Sequence, residues 1–122
     1  MQNKGLLSIT LVLVVIFGAL HFAASAFYLY WSVWWFDSLM HLLGGLCLGL
    51  FFVWLGGRLG SWSSLVVLAL VMAIGVAWEV FEYAYGITGV VQGSYALDLV
   101  LDLVADFLGV LAALAIGKKW NG

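Results

Sequence analysis

Ionisable side chains recur at helical spacing in three segments of an otherwise apolar chain. Asp37 and His41 are four residues apart, and Glu79 and Glu82 are three residues apart. The third segment places an aspartate at every fourth position: Asp98, Asp102 and Asp106. Residues three or four apart share one face of an α-helix. Each segment therefore predicts a helix with a polar stripe along one side.

Carboxylate oxygens and imidazole nitrogens together form the donor set that divalent metal ions bind in proteins. Helix bundles build such centres from side chains that project inward from several helices. We predict a site for one or two divalent ions of Mn, Fe, Zn or Mg. The predicted ligands are His21, Asp37, His41, Glu79, Glu82, Asp98 and Asp102. Glu79 and Asp106 are predicted as catalytic residues, because a spare carboxylate can take a proton from an activated water.

Three functions are compatible with this cluster. The first is a metal-dependent hydrolase that acts on a lipid or lipid-linked substrate at the outer leaflet. The second is a cation or proton transporter, or another metal-handling membrane protein, since intramembrane carboxylates are typical of such pathways. Because the ionisable residues stop about halfway along the helices, a transport path would need a homo-oligomer or a rocking bundle to complete it. The third is a structural network of protonated carboxyl groups.

Three of these residues also have a simpler interpretation. Asp37 and Asp98 stand where helices begin, and aspartate is a common helix N-cap. His21 lies alone in an apolar helix, where a histidine is more often hydrogen-bonded within the core than bound to a metal. Glu79 and Glu82 have no such explanation, because acids in the C-terminal half of a helix oppose its dipole.

The composition indicates a membrane protein. Of the 122 residues, 66% are hydrophobic and only 8% are charged, against about 25% charged in soluble domains. The four basic residues are Lys4, Arg58, Lys118 and Lys119, and none of them lies among the acids. Ordinary salt bridges therefore do not explain the acidic cluster. The chain has no basic patch interleaved with aromatic residues, so nucleic acid is excluded as a partner.

Four apolar stretches are each long enough to cross a bilayer, which takes about 20 residues in a helix. They cover about residues 5–30, 38–55, 62–85 and 97–117. We predict an all-α, multi-pass bundle of four transmembrane helices that forms a single domain over residues 1–122. With about 1.5 Å of rise per residue, the ionisable groups all fall in one half of the membrane.

The basic residues predict the orientation of the bundle. Lys4 precedes the first helix, Arg58 follows the second, and Lys118 and Lys119 follow the fourth. In an up-and-down bundle these positions share one side, which the positive-inside rule makes cytoplasmic. We therefore expect both termini in the cytoplasm, the acidic cluster facing outward, and a location in the inner membrane. The segment before Ala24-Ser25-Ala26 also resembles a signal peptide, although its apolar run is long for one.

Three motifs resemble those of the YjdF-like bacterial inner-membrane family. They are FDSLMHLLGG (residues 36–45), WEVFEY (residues 78–83) and DLVLDLVADFLG (residues 98–109). The layout is also distantly similar to VanZ-like proteins, which are linked to glycopeptide-antibiotic resistance. The resemblance implies a shared polar site but no established reaction. The chain departs from the family pattern at Leu99, where threonine is frequent, and has fewer helices than the fuller family members.

Overall fold

The computed structural model describes residues 3–86 and 95–121, and within these ranges the chain is all α-helical. Its helices are α1 (Lys4–Ala26), α2 (Leu29–Ser32), α3 (Phe36–Leu59), α4 (Ser64–Tyr85) and α5 (Tyr95–Asn121). All except α2 are long and apolar enough to span a membrane. The predicted fold class is confirmed. Most of the connection between α4 and α5, residues 87–94, lies outside the described residues.

The first long helix is shorter than the predicted range 5–30. It ends at Ala26 because Tyr28 adopts the left-handed conformation, with φ of 57°, which interrupts the helical hydrogen bonds. The short helix α2 then turns the chain toward α3. The other three long helices begin and end within a few residues of the predicted bounds, and α3 and α5 extend beyond them.

Capping side chains fix the ends of two helices. The Asn3 side chain accepts a hydrogen bond from the Leu6 amide at 3.0 Å and donates one to the Trp120 carbonyl at 2.9 Å. The start of α1 is thereby tied to the end of α5. Ser63 caps α4 by accepting from the Val66 amide at 3.3 Å.

Helices α3 and α5 form the most extensive pair, while α1 packs mainly on α3 and α4 packs on both α5 and α3. The bundle has two ends of opposite charge. The acidic end contains the start of α3, the end of α4 and the start of α5. The basic end contains Lys4, Arg58 and Lys118. Two apolar clusters fill the interior toward the basic end: Leu6, Leu50 and Ala113, and Val67, Val71 and Val110.

Candidate metal centre

Close packing of α3 against α5 brings the polar stripes of these two helices together. A side chain at Gly109 would collide with the backbone of α3 at Leu42, and one at Gly45 would collide with the Asp106 backbone. Only glycine permits this approach, as in small-residue contacts between membrane helices generally. Asp102 and Asp106 of α5 consequently reach His41 on α3.

His41 is the centre of the cluster and is only 9% exposed. Its Nδ1 lies 3.0 Å from Asp106 Oδ1, which is hydrogen-bonding distance. In the tautomer that carries its proton on Nδ1, the ring donates this bond to the Asp106 oxygen. This bond fixes the ring so that Nε2 faces the other acids. Carboxylates hold metal-binding histidines in the same way.

Three carboxylates surround His41 Nε2 from three helices. The distances are 3.4 Å to Asp102 Oδ2, 3.7 Å to Glu79 Oε1 and 3.8 Å to Asp37 Oδ1. All three are longer than an ordinary N–H···O hydrogen bond. Two ligand atoms that each lie about 2.1 Å from one ion, at a tetrahedral angle, are about 3.4 Å apart. The spacing therefore suits atoms that share a metal ion.

Several carboxylate oxygens of the cluster are buried without a hydrogen-bond partner among the described residues. They are both oxygens of Glu79, both oxygens of Asp102, and Asp106 Oδ2. An unsatisfied buried oxygen is costly, and an ionised one much more so. Asp102 is completely buried, and Glu79 is 3% exposed. Cations, protons or water molecules can stabilise these oxygens, and within the described residues their ion pairs involve only His41.

Two groups of ligand atoms are compact enough to hold an ion. Asp37, His41 and Asp102 form one group, and Glu79, Glu82 and Asp102 form the other; within each group the atoms lie within 4.8 Å of one another. Asp102 belongs to both groups. Five predicted ligands are thus brought together.

The two other predicted ligands, Asp98 and His21, lie outside these groups. Asp98 is 7% exposed and lines the cavity beside the cluster. His21 lines the same cavity from α1, and its Nδ1 is 2.9 Å from the Tyr30 hydroxyl. A metal-binding role for either residue stays a prediction.

A cavity of about 500 Å³ adjoins the cluster. Its polar lining includes Asp37, His41 and Glu82, whereas Leu48 and Val71 form part of an apolar region deeper in the bundle. It lies between α1 and α4, which do not approach each other closely within their described residues. We call it the site cavity.

One known protein family matches nearly the whole chain. This family is DUF2238, whose members are described as predicted membrane proteins, and it matches residues 4–122. This chain belongs to that family. The match includes all four long helices, and together they establish an integral membrane protein. No curated protein and no solved structure matches the chain significantly.

Sequence reasoning missed three contributors to the site. Trp78 donates a hydrogen bond from Nε1 to Glu82 Oε1 at 2.6 Å, and the i,i+4 spacing of the pair was the available signal. Gly75 leaves room for Asp106, whose Oδ2 would lie 2.5 Å from a Cβ there.

The third contributor is Tyr30, which the predicted continuous first helix placed wrongly. Its hydroxyl contacts His21, whereas the nearby Tyr28 is 69% exposed. Burial, together with the carboxylates of Asp37 and Glu82, raises the pKa of Tyr30 to about 12. The phenol thus remains protonated at neutral pH.

Proposed function

We propose that this protein is a divalent-metal-dependent hydrolase of the inner membrane that acts on a lipid or lipid-linked substrate. One observation carries the proposal: the site cavity joins a cluster of unsatisfied buried carboxylates to an apolar wall within a membrane-spanning bundle. A polar reacting group and an apolar chain would fit such a cavity together.

In this proposal Asp37, His41 and Asp102 would hold one ion, and Glu79, Glu82 and Asp102 would hold another. Ions of Mn, Fe, Zn or Mg suit these oxygen and nitrogen donors. They would supply positive charge that the acidic end lacks, polarise a phosphate or carbonyl oxygen, and acidify a water molecule.

The remaining carboxylates then have separate roles. Asp106 positions His41 through its hydrogen bond to Nδ1, while the catalytic role predicted for Asp106 and Glu79 stays a prediction. Asp98 lines the site cavity and belongs to neither ligand group, so it is free to accept the proton of the attacking water. Glu79 is buried behind His41 and serves as a ligand.

The gap between α1 and α4 is the route by which a lipid would reach the site cavity. Because a membrane bundle is surrounded by acyl chains, this gap lets a lipid enter the site cavity sideways. Phe17 of α1 and Ile74 of α4 line opposite sides of the cavity and give it apolar walls. The substrate's reacting group would then lie beside His41 and Glu82, toward the acidic end.

Elemental analysis of the detergent-purified protein tests the metal centre. We expect about two equivalents of a divalent metal in the wild type and none in a His41→Ala/Glu79→Ala double variant. Asp98→Asn is the matched control, because it removes a neighbouring acid outside both ligand groups and should retain the metal. Absence of metal after incubation with Mn, Fe, Zn and Mg would refute the centre and favour a carboxyl network, because ligand atoms of Asp102 lie within 4.8 Å of those of Asp37 and Glu79.

The same variants test the reaction. Phospholipids in mixed micelles are supplied with the metal-loaded protein, and release of the headgroup or of phosphate is followed. Loss of one catalytic proton acceptor typically costs 10²–10⁴-fold in rate, so Asp98→Asn should keep its metal and lose about that much activity. Undiminished hydrolysis by Asp98→Asn would assign the proton transfer to another residue.

One observation supports transport as a second candidate function. Val71 lines the site cavity, and Val67, one helical turn away, lines a second cavity at the basic end. The intervening cluster of Val67, Val71 and Val110 is almost completely buried, so it would have to open as an apolar gate. Metal or proton flux into sealed vesicles, increased by Val71→Ala, would favour a transporter over a hydrolase.

The resemblance to YjdF-like and VanZ-like proteins fits this proposal without adding a reaction to it. The three motifs contain the ligands of both groups together with Gly45 and Gly109. In the proposal, all three motifs contribute residues to the metal centre. The positive-inside rule supports a cytoplasmic location for the basic end, which would put the centre in the outer half of the membrane.

A further inference from the structure

The basic end of the bundle contains a cavity of about 360 Å³, a volume typical of small-molecule sites. Arg58 of α3 and Lys118 of α5 line it, together with Ser61 on the connection into α4 and Ser64 at the start of α4. We call it the basic cavity. It is separate from the metal centre and takes no part in the proposed reaction.

The two cations of the basic cavity have no acidic counterpart nearby. In the described part of the chain every Asp and Glu lies toward the acidic end, and Asp106, which precedes Lys118 by 12 residues, is about 18 Å away along α5. Arg58 instead stacks on Trp54, with its guanidinium carbon 5.4 Å from the ring centroid. This contact orients the guanidinium without neutralising it.

The connection between α3 and α4 is held in place beside these cations. Gly60 and Ser61 both have positive φ and both donate backbone hydrogen bonds to the Gly56 carbonyl. Trp62 packs directly on Gly56, where a Cβ would lie 2.9 Å from the Trp62 Cβ. Ser61 and Ser64 are thereby kept in the lining of the cavity. The first turn of α4 adds the positive end of its dipole.

We infer that the basic cavity binds the phosphate of an anionic phospholipid. Guanidinium, ammonium, hydroxyl and helix-dipole groups together recognise phosphate. Basic pockets between membrane helices are known to hold anionic headgroups. The apolar residues Val53 and Leu114 line the cavity as well, and Trp54 and Trp62 are of the type that sits at the membrane interface. A lipid offers both a phosphate and a chain, which a soluble phosphate does not.

Native mass spectrometry of the full detergent-purified chain tests this site. Phosphatidylglycerol is titrated against phosphatidylcholine with the same acyl chains. We expect phosphatidylglycerol to bind more tightly, and Arg58→Gln and Lys118→Gln each to weaken it about fivefold, since a basic residue contributes roughly that factor near anionic lipid. The double variant should no longer distinguish the two lipids.

Lys119→Gln is the matched control, because Lys119 neighbours Lys118 in sequence but does not line the basic cavity. It should bind phosphatidylglycerol like the wild type. If Lys118→Gln and Lys119→Gln weaken lipid binding equally, the effect comes from diffuse positive charge, and the proposed site is wrong. Displacement of the lipid by millimolar glycerol phosphate would overturn the lipid assignment in favour of a soluble phosphate ester. Arg58→Lys, which keeps the charge, should retain binding if the protein is folded.

Discussion

The two ends of this bundle are built from the same four helices but differ in the side chains that they bury. At the acidic end, carboxylates from three helices surround His41, and several of their oxygens have no hydrogen-bond partner among the described residues. Toward the basic end, Leu6, Leu50 and Ala113 are completely buried in an apolar cluster. Among the described residues, the acidic end contains buried polar atoms without hydrogen-bond partners, whereas the region toward the basic end contains packed apolar side chains.

The difference shows how a small membrane protein can tolerate a costly site. Burying several carboxylates destabilises the bundle unless cations or protons bind them. The apolar clusters and the glycine contacts between α3 and α5 stabilise the helices independently of that charge. If this division is right, substitutions at the two ends should affect different properties.

The largest expected effect on stability is at the apolar cluster. Leu50→Ala leaves a cavity at a fully buried position and should lower the free energy of unfolding by about 2–5 kcal/mol. Metal content should not change. Thermal unfolding in detergent measures the first property and elemental analysis the second. Leu11→Ala, at a position 56% exposed on α1, is the control and should have little effect.

Loss of metal from a folded Leu50→Ala protein would contradict the independence of the two ends. It would mean that packing toward the basic end also sets the geometry of the metal centre.

A smaller effect, confined to binding, is expected at Asp106. Asp106→Asn removes the charge that orients His41 but keeps an oxygen that can accept from Nδ1. Metal affinity should fall by about 10–100-fold, as is typical when the partner of a metal-binding histidine is changed. Titration with a competing chelator measures this affinity. An Asp106→Asn protein that binds as poorly as Asp102→Asn would instead identify Asp106 as a direct ligand.

The smallest expected effect concerns Tyr30. In the metal-free protein, folding raises the pKa of Tyr30 from the ordinary 10.0 to about 12, so the folded state binds this proton more tightly, and its contribution to stability is lost as the pH rises through that range. Tyr30→Phe should remove the loss, by less than about 1 kcal/mol because solvent screens a half-buried group. It should also remove the latest step in the alkaline absorbance titration of the five tyrosines.

Tyr28→Phe, which removes an exposed phenol, is the control for that titration. A latest step that survives in Tyr30→Phe would show that Tyr30 is not held beside the carboxylates of Asp37 and Glu82.

The sequence predicted the long helices well because hydropathy over about 20 residues depends little on tertiary contacts. It also grouped Asp37 with His41, and Asp98 with Asp102 and Asp106, because helical spacing is a local property. The break at Tyr28 could not be predicted, since a tyrosine rarely adopts positive φ and no glycine or proline marks the position.

The role of each residue in the cluster was harder to predict from the sequence than the set of residues that form the cluster. Spacing places Asp98, Asp102 and Asp106 on one stripe, yet Asp102 is shared by both ligand groups while Asp98 belongs to neither. Their distances from His41 depend on how closely α3 approaches α5, which is set by backbone contacts at Gly45 and Gly109. Such contacts join residues more than 60 positions apart, and nothing local in the sequence records them.

The contact between α3 and α5 also has a consequence for biosynthesis. His41 enters the membrane with α3, but Asp102 and the glycine that seats it against α3 are synthesised only after α4 has been made. Helices insert individually before they associate, and chains emerge from the ribosome at about 5–20 residues per second. Neither ligand group can close until α5 is in place, so under the proposed function metal binding would follow insertion of α5.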